Sequence, residues 1–200
     1  MHDTEPSHYL AGTLRALRSE RGWSLDRTAQ ETGVSKAMLG QIERGESSPT
    51  IATLWKIASG FHASLSSFLY PAPPATGVLY RSASALRGQP GSDEMLVAPL
   101  FPYDPNLGFE LFELTLLPGY ERRSEAHAAG VIEHVIVLRG VLELFIEDQW
   151  LTLVPGDAVR FAADRAHGYR NTQAGPAVFH NLIHYGPATI PKEPTAPAEA

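Results

Sequence analysis

The stretch GVSKAMLGQIERGESSPT, residues Gly33–Thr50, decides how the first third of the chain folds. Gly33 can take the left-handed conformation of a tight turn, and Ser35 follows it as a candidate N-cap. Leu39 and Ile42 lie three residues apart, which predicts one buried face on the helix that Ser35 begins. Two helices joined by so short a turn are typical of a helix-turn-helix.

The flanking sequence predicts further helices. Leu10, Leu14 and Leu17 repeat at helical spacing and predict one apolar face. Ser24 is a candidate cap for the helix before the turn, and Thr50 for a helix after it. Residues 8–70 therefore read as an all-α bundle.

The pattern GVS…L…IE.G…P in Gly33–Thr50 resembles the lambda-repressor-like DNA-binding domain of the xenobiotic-response-element (XRE) class of bacterial regulators. The resemblance covers about residues 8–70. Thr28 departs from it, because a buried leucine is usual at that position, and we expect a slightly weaker core there. The resemblance implies that the helix from Ser35 to Arg44 enters the major groove of a double-stranded DNA operator.

The predicted DNA contacts fall into two groups. The exposed face of the entering helix is expected to carry Lys36, Ala37, Gly40 and Gln41, with Lys36 donating to guanine and Gln41 pairing with adenine. Arg27, Arg44, Ser47 and Ser48 are predicted to contact the phosphate backbone and so to position the domain, and Ser35 is also a predicted DNA contact. The alternative is a small helical bundle whose polar residues are simply solvated.

The character of the sequence changes after the bundle. The run YPAPPATG, Tyr70–Gly77, cannot sustain a helix, so residues 71–77 are predicted to be a linker. We expect this semi-rigid spacer to be the only connection between the two parts. Residues 78–186 alternate short apolar runs with turns, and roughly nine such runs predict an antiparallel sandwich or barrel. The first is GVLYRS and the last AVFHNLIHYG. The tail, residues 187–200, is rich in Pro, Ala and Glu and is predicted to be disordered.

Composition limits what the chain can do. It has no cysteine, which excludes disulfides and thiolate metal sites. The net charge of −6 lies entirely in residues 71–200, which hold nine basic and fifteen acidic residues, while residues 1–70 hold seven of each. The first part can therefore touch a phosphate backbone and the second would be repelled by it. We found no signal peptide and no run of roughly 18 apolar residues, so we expect a cytoplasmic protein without a membrane partner.

Residues 78–186 resemble a cupin, a double-stranded β-helix barrel with two signature motifs. The second motif matches from Gly156 through His167 to Asn171, with departures at Ala162 and Asp164. The resemblance implies that His167 is a metal ligand.

The first cupin motif is looser. It opens at Gly119 and closes at Gly140, with Glu133 at the expected distance from its end. The two histidines of the motif would fall on Glu125 and His127 counted from the opening glycine, or on His127 and Ala129 counted back from Glu133. Only His127 remains as a histidine ligand.

Strand alternation separates the side chains around Glu133. Along Val131–Leu138 successive residues face opposite sides, so Glu133 should face into the barrel and His134 away from it. On the last strand His180 and His184 share one face and Asn181 the other, without an indication of which is inside. The predicted metal ligands are His127, Glu133 and His167, with Glu125 as an alternative fourth.

Two imidazoles and one carboxylate suit a divalent metal: zinc is favoured, and iron, nickel or manganese also fit. The alternative is a metal-free barrel in which Glu133 and His167 bond a metabolite or each other. Tyr169 and Phe112 are predicted to line the ligand pocket.

The two resemblances together imply a one-component transcriptional regulator, in which a barrel that binds a small-molecule effector controls a DNA-binding head. Such two-domain regulators are often tied to amino-acid, sulfur or polyamine metabolism. Because one head buries little surface on DNA, we expect a homodimer joined through the barrel. The competing interpretation is a non-haem metal-dependent cupin oxygenase or epoxidase with a helical N-terminal domain, since His/Glu/His is also the donor set of such iron enzymes.

Overall fold

The structure is a computed structural model that describes residues 6–71, 77–87 and 94–186. Most of the predicted linker and all of residues 187–200 lie outside these ranges. The helical part contains α1 (Pro6–Glu20), α2 (Leu25–Thr32), α3 (Lys36–Glu43) and α4 (Ile51–Gly60), followed by a short 3-10 turn, Ser66–Phe68. None of the described helices has the length and apolar character that crossing a membrane requires.

The three predicted N-caps are confirmed. The side chains of Ser24, Ser35 and Thr50 each accept a hydrogen bond from the backbone N–H three residues further on, at the starts of α2, α3 and α4. Gly33 ends α2 in the left-handed conformation, with a φ of 65°, and the N-cap of α3, Ser35, follows two residues later. Thr28 is fully buried, and its hydroxyl donates to the Ser24 carbonyl.

The second part is an antiparallel two-sheet barrel, as predicted. Its strands are β1 (Met95–Asp104), β2 (Phe109–Leu116), β3 (Glu121–Ser124), β4 (Ile132–Arg139), β5 (Leu142–Ile146), β6 (Gln149–Leu153), β7 (Ala158–Ala162), β8 (His167–Arg170) and β9 (Ala177–His184). One sheet has the order β1-β2-β9-β4-β7 and the other β3-β8-β5-β6. A short helix, α5 (Ala83–Leu86), precedes β1.

Two strand predictions differ from the structure. GVLYRS is not a strand: Val78 and Tyr80 are 99% and 86% exposed, so their apolar side chains have no sheet partner. Conversely, β3 was missed because its sequence, ERRS, has no apolar residue and gives no periodic signal. Its place in the sheet is fixed by pairing with β8, which aligns Arg122 with Tyr169.

The helical part lies directly on the barrel, so the expectation that the two meet only through the linker is wrong. The carboxylate of Glu110 on β2 is buried and accepts hydrogen bonds from the backbone N–H groups of Leu65 (3.2 Å) and Ser66 (2.9 Å). The Ser66 hydroxyl in turn accepts from the Tyr103 backbone N–H at 2.7 Å. Trp55 of α4 packs on Phe112 of β2, with ring centroids 6.2 Å apart. Backbone groups on the helical side thus depend on a barrel side chain for their hydrogen bonds.

We expect Glu110→Ala to lower the free energy of unfolding by about 1–3 kcal/mol, because two buried backbone N–H groups lose their acceptor. Glu110→Gln keeps one acceptor oxygen and should cost less. Urea unfolding of both variants measures the difference, with Glu121→Ala, at an exposed position, as the control.

The pH dependence of the Glu110→Gln effect provides a second readout. Burial raises the pKa of Glu110 above 4.5, and the hydrogen bonds from Ser66 and Tyr185 only partly oppose this. A raised pKa in the folded state means that stability is lost as pH rises through it. The glutamine variant should therefore lose less stability than the wild type as pH rises above 4.5. An identical pH profile for the two proteins would contradict the buried, pKa-shifted carboxylate.

Candidate functional site

The exposed face of α3 is the candidate DNA-reading surface. Lys36, Ala37 and Gln41 are exposed, and so are Arg27, Arg44 and Ser48 around them. Ser35 is exposed at the start of the helix and caps it, while Ser47 is half-buried with its hydroxyl against the Met38 sulfur. Most of these residues lie on α3 and the loop that follows it, and Arg27 lies on α2.

Gly40 is an exception to the predicted face, because the structure buries it. A Cβ at this position would lie 3.1 Å from the Arg44 guanidinium and 3.9 Å from the Leu25 side chain. The prediction that Gly40 is exposed is wrong, since Arg44 folds back over the helix and α2 covers the other side. Gly40 instead leaves room for these two side chains.

The basic side chains near this face are paired with carboxylates. Lys36 bonds Asp26 at 2.8 Å, Arg44 bonds Glu46 at 2.7 Å, and Arg27 bonds Glu31. Exposed pairs of this kind are screened by solvent and add little to stability, so a DNA phosphate or base edge can replace the carboxylate at little cost. Cations are therefore available at this surface although residues 1–70 carry no net charge.

A partly buried ion pair links α3 to α1. Arg18 of α1 forms a two-pronged hydrogen bond with Glu43 of α3, at 2.6 and 3.0 Å, and Arg15 donates to the Glu43 backbone carbonyl. Arg18 also donates to the Trp23 carbonyl. This arrangement fixes the orientation of the candidate DNA-reading helix relative to α1, and sequence reasoning missed it.

The three predicted metal ligands come together inside the barrel. His127 lies before β4, Glu133 on β4 and His167 on β8, and one potential ligand atom from each lies within 4.8 Å of the others. The Glu133 Oε1 atom is 2.8 Å from His127 Nε2 and 3.4 Å from His167 Nε2. The carboxylate and one imidazole are almost fully buried.

The surroundings of this group fit a divalent metal. Tyr169 and Asn181 donate to Glu133 Oε2, which leaves Oε1 facing the two imidazoles. His167 Nδ1 bonds the Arg165 carbonyl at 3.0 Å, and because a carbonyl only accepts, Nδ1 carries the proton. Nε2 of a neutral His167 is then a free lone pair directed at the group, which is how metal-ligating histidines are usually oriented. The group could therefore hold a metal ion.

Charge is balanced within the group when no cation is bound. Burial raises the pKa of Glu133, but hydrogen bonds from His127 and His167 and their charges outweigh it, so the pKa lies well below the ordinary value. Burial lowers the pKa of His167. The hydrogen bond to Glu133 and the charge of that carboxylate outweigh burial, so the pKa of His167 lies above its ordinary value. Burial and the neighbouring Glu133 charge also raise the pKa of Tyr169 well above its ordinary value, so it stays a neutral donor.

The cavity beside the group has walls from both parts of the chain. Tyr169, Asn181, Met95 and Leu114 line it from the barrel, and Trp55 lines it from α4. Tyr169 is thus a cavity residue, as predicted. Phe112 is not among the residues that line this cavity; it is fully buried, and its ring packs against Trp55.

The exposure of the side chains decides between the alternative ligands and strand faces that the sequence left open. Glu125 and Ala129 are exposed and outside the group, so the geometry does not support Glu125 as a fourth ligand. His134 faces away from Glu133, as strand alternation predicted. On β9 the inward face carries Asn181, with His180 and His184 on the other face.

Sequence reasoning missed three side chains at the cavity: Trp55, Arg122 and Asn181. The parity of β9 could have suggested Asn181, which shares a face with the apolar Phe179 and Ile183. Trp55 and Arg122 gave no local signal. Their places depend on how α4 lies on the barrel and on the pairing of β3.

Comparisons with known proteins agree with this architecture. A helix-turn-helix family model matches residues 14–68, and a cupin domain model matches residues 112–183. The crystal structure of an HTH_3 family transcriptional regulator from Vibrio cholerae superposes with a TM-score of 0.75 at 46% identity, covering 92% of this chain and 99% of that one. The chain belongs to the transcriptional regulators that join an XRE-type helix-turn-helix domain to a cupin domain.

Individual relatives carry the same description. The chain is 50% identical over 179 residues to the HTH-type transcriptional regulator SutR of Escherichia coli, covering 90% of this chain and 96% of that protein. It is 28% identical over 163 residues to the HTH-type transcriptional regulator PuuR of Escherichia coli, covering 81% of this chain and 87% of that protein.

If the three residues hold a metal together, His127→Ala and His167→Ala should each lose most of the bound metal while the protein stays folded, because two protein donors rarely suffice to hold a divalent metal. His134→Ala is the matched control and should retain the metal, since its ring lies on the opposite face of β4. Metal content measured on dialysed, folded protein tests this. Loss of metal from the His134 variant alone would contradict the ligand assignment.

Proposed function

We propose that the protein is a homodimeric, sequence-specific DNA-binding regulator whose barrel binds a small-molecule effector next to a metal at His127, Glu133 and His167. The predicted domain limits, 8–70 for the head and 78–186 for the barrel, are part of this proposal. A regulator of this kind acts on the chromosome, so we place it in the cytoplasm.

One observation supports this proposal most strongly. Trp55 belongs to the helical part, yet its ring lies 5.7 Å from the ring of His127 and forms a wall of the cavity at the candidate metal group. A ligand that binds beside Trp55 at this end of the barrel would touch the DNA-binding part directly. Such contact provides the differential interaction that a ligand needs in order to shift an equilibrium between two arrangements.

The DNA contacts proposed on α3 are Lys36, Ala37 and Gln41 toward base edges. Arg27, Ser35, Arg44, Ser47 and Ser48 are proposed for the phosphate backbone. Gly40, being buried, is proposed only as a spacer between α2 and α3. Gln41 has the amide that pairs with adenine through two hydrogen bonds, and it is exposed on the helix.

The metal we propose is zinc, because two imidazoles and one carboxylate with a remaining open position are a common zinc donor set. A bound divalent cation would offset the Glu133 charge and polarise any ligand atom that reaches the open position. The protein residues supply the rest: Tyr169 and Asn181 hold Oε2, and the Arg165 carbonyl sets the His167 tautomer.

The homodimer is proposed on the size of the DNA contact and on the barrel surface. A single helix-turn-helix buries too little surface on DNA for specific binding, so two half-sites are usual. Ile136 and Leu138 on the outer face of β4, and Leu151 and Val154 near β6, are exposed apolar side chains. We propose that the barrel dimerises through this outer surface.

A second candidate is a non-haem iron oxygenase or epoxidase. It is favoured by one observation, the His/Glu/His donor set on one side of a cavity. Oxygen consumption by the ferrous-iron-loaded protein with candidate substrates, measured beside operator retardation, separates the two functions. Under the regulator proposal the protein retards its own upstream DNA and consumes no oxygen above the free-iron background.

Gln41→Ala should weaken binding to the cognate operator by about 1–3 kcal/mol and leave binding to random DNA nearly unchanged, because Gln41 is proposed to read a base. Arg44→Ala should weaken both and reduce the salt dependence, because a phosphate contact carries no sequence information. Gln149→Ala, at an exposed barrel position, is the matched control. Equal losses on both DNAs from Gln41→Ala would rule out its assignment as a base-reading residue.

A further inference from the structure

The cavity at the metal group is too small for an organic effector. Its volume is about 10 Å³, which holds one ion or one water molecule. A second cavity of about 120 Å³ lies next to it, between α4 and the segment that starts at β3. The two cavities share Trp55, Arg122, Ser124 and His127 as lining residues. Trp55 and Arg122 therefore lie between the metal group and the larger cavity.

The contact between these two residues forms the partition. The Arg122 guanidinium lies over the Trp55 ring, 5.0 Å from its centroid. Arg122 faces inward from β3, because it pairs across the sheet with the inward-facing Tyr169. Its positive charge reaches the metal group, where it acts on the pKa of both His167 and Tyr169. A ligand atom that approaches the group from the larger cavity must pass this guanidinium.

The larger cavity has a basic lining. Lys56 of α4 and Arg122 and Arg123 of β3 lie around it, and Glu125 is the single carboxylate among the described residues that line it. The Arg123 guanidinium lies over the rings of Phe145 and Trp150, while Lys56 and Arg122 line the space from α4 and β3. A cavity with this charge balance favours an anion.

Two buried polar atoms at the cavities have no partner among the described residues. The Trp55 side chain is 7% exposed, and its indole N–H makes no hydrogen bond. The Oδ1 atom of Asn181 is also unpaired, but it is an acceptor and so does not favour an anion; the Nδ2 atom of the same side chain donates to Glu133. An unpaired buried donor costs free energy that an acceptor oxygen would recover, and an anion supplies such an oxygen.

We propose that the effector is a small anion with a carboxylate or oxoanion group, bound between α4 and β3 with its acidic group on Arg122 and the Trp55 N–H. This inference rests on the proposed function, because it names the ligand class of the proposed effector site. The bound anion separates Arg122 from Trp55 and so changes how α4 sits on the barrel. Since α4 packs against α2 at Gly60, where a Cβ would lie 2.6 Å from the Glu31 carbonyl, α2 moves with it.

Isothermal titration calorimetry of the full-length, zinc-loaded protein tests the ligand class. Acetate, oxalate, sulfate and phosphate are titrated separately, and we expect saturable binding of at least one of them. Arg122→Gln should weaken that binding roughly tenfold or more, because it removes a charge-assisted hydrogen bond. Trp55→Phe keeps the ring packing and removes the N–H, and it should weaken binding about fivefold.

Arg139→Gln, at the exposed end of β4 and away from both cavities, is the matched control and should bind the anion like the wild type. Circular dichroism checks that each variant is folded. If Arg122→Gln does not fold, the Trp55→Phe variant alone tests the proposal. Absence of saturable binding by all four anions overturns the proposal. Unchanged affinity in the folded Arg122 and Trp55 variants also overturns it, because the anion then binds the zinc or another surface only.

Operator retardation in the same samples separates this inference from the proposed function. The anion that binds should change the operator affinity of the full chain at least fivefold, in proportion to its occupancy. Anion binding that leaves operator affinity unchanged refutes the link through α4. Failure to bind any operator, with anion binding intact, refutes the proposed regulator and leaves the anion site supported.

Discussion

The structure depends on how the buried carboxylate of Glu133 is satisfied. A charged group inside a barrel is costly unless protons or a cation compensate it. Here both carboxylate oxygens are matched, Oε1 by two imidazoles and Oε2 by Tyr169 and Asn181. These partners come from the segment before β4, from β8 and from β9. Side chains from both sheets and from a loop therefore meet at the two carboxylate oxygens of Glu133. A metal ion can enter this arrangement by replacing imidazole protons, without rebuilding the barrel.

A second buried carboxylate joins the two halves of the chain. Glu110 provides the acceptors for the turn at Leu65 and Ser66, while Trp55 rests on the barrel wall a short distance away. The head therefore has a defined position relative to the Glu133 group, which a linker alone would not give it. Coupling between a ligand and DNA requires a difference in free energy between two arrangements of these contacts. The contacts at Glu110 resist movement, and the contact of Trp55 with the cavity is the one that a ligand can alter.

Sequence reasoning succeeded where the determinants are local. Ser24, Ser35 and Thr50 cap helices because a hydroxyl needs only the next turn of backbone, and the inward face of Glu133 follows from the two-residue period of a strand. It failed where distant segments decide. Arg122 lies on a strand with no apolar residue, whose register comes from β8, and Trp55 reads as an ordinary core residue of α4. Gly40 was wrongly assigned to the exposed face of α3, because the helical period does not predict that the Arg44 side chain folds back over the helix.

The electrostatics of the head also shape how such a switch can work. Each basic residue at the α3 surface that was predicted to touch DNA has an acidic neighbour, namely Asp26, Glu31 or Glu46. DNA must displace these carboxylates, so the non-specific electrostatic part of binding is smaller than the number of cations suggests. In the proposed dimer, binding would then rely more on base contacts and on two heads held at the right spacing. Under that condition the proposed shift of α4 by a bound ligand would have a large effect, because a slightly misplaced head loses its base contacts.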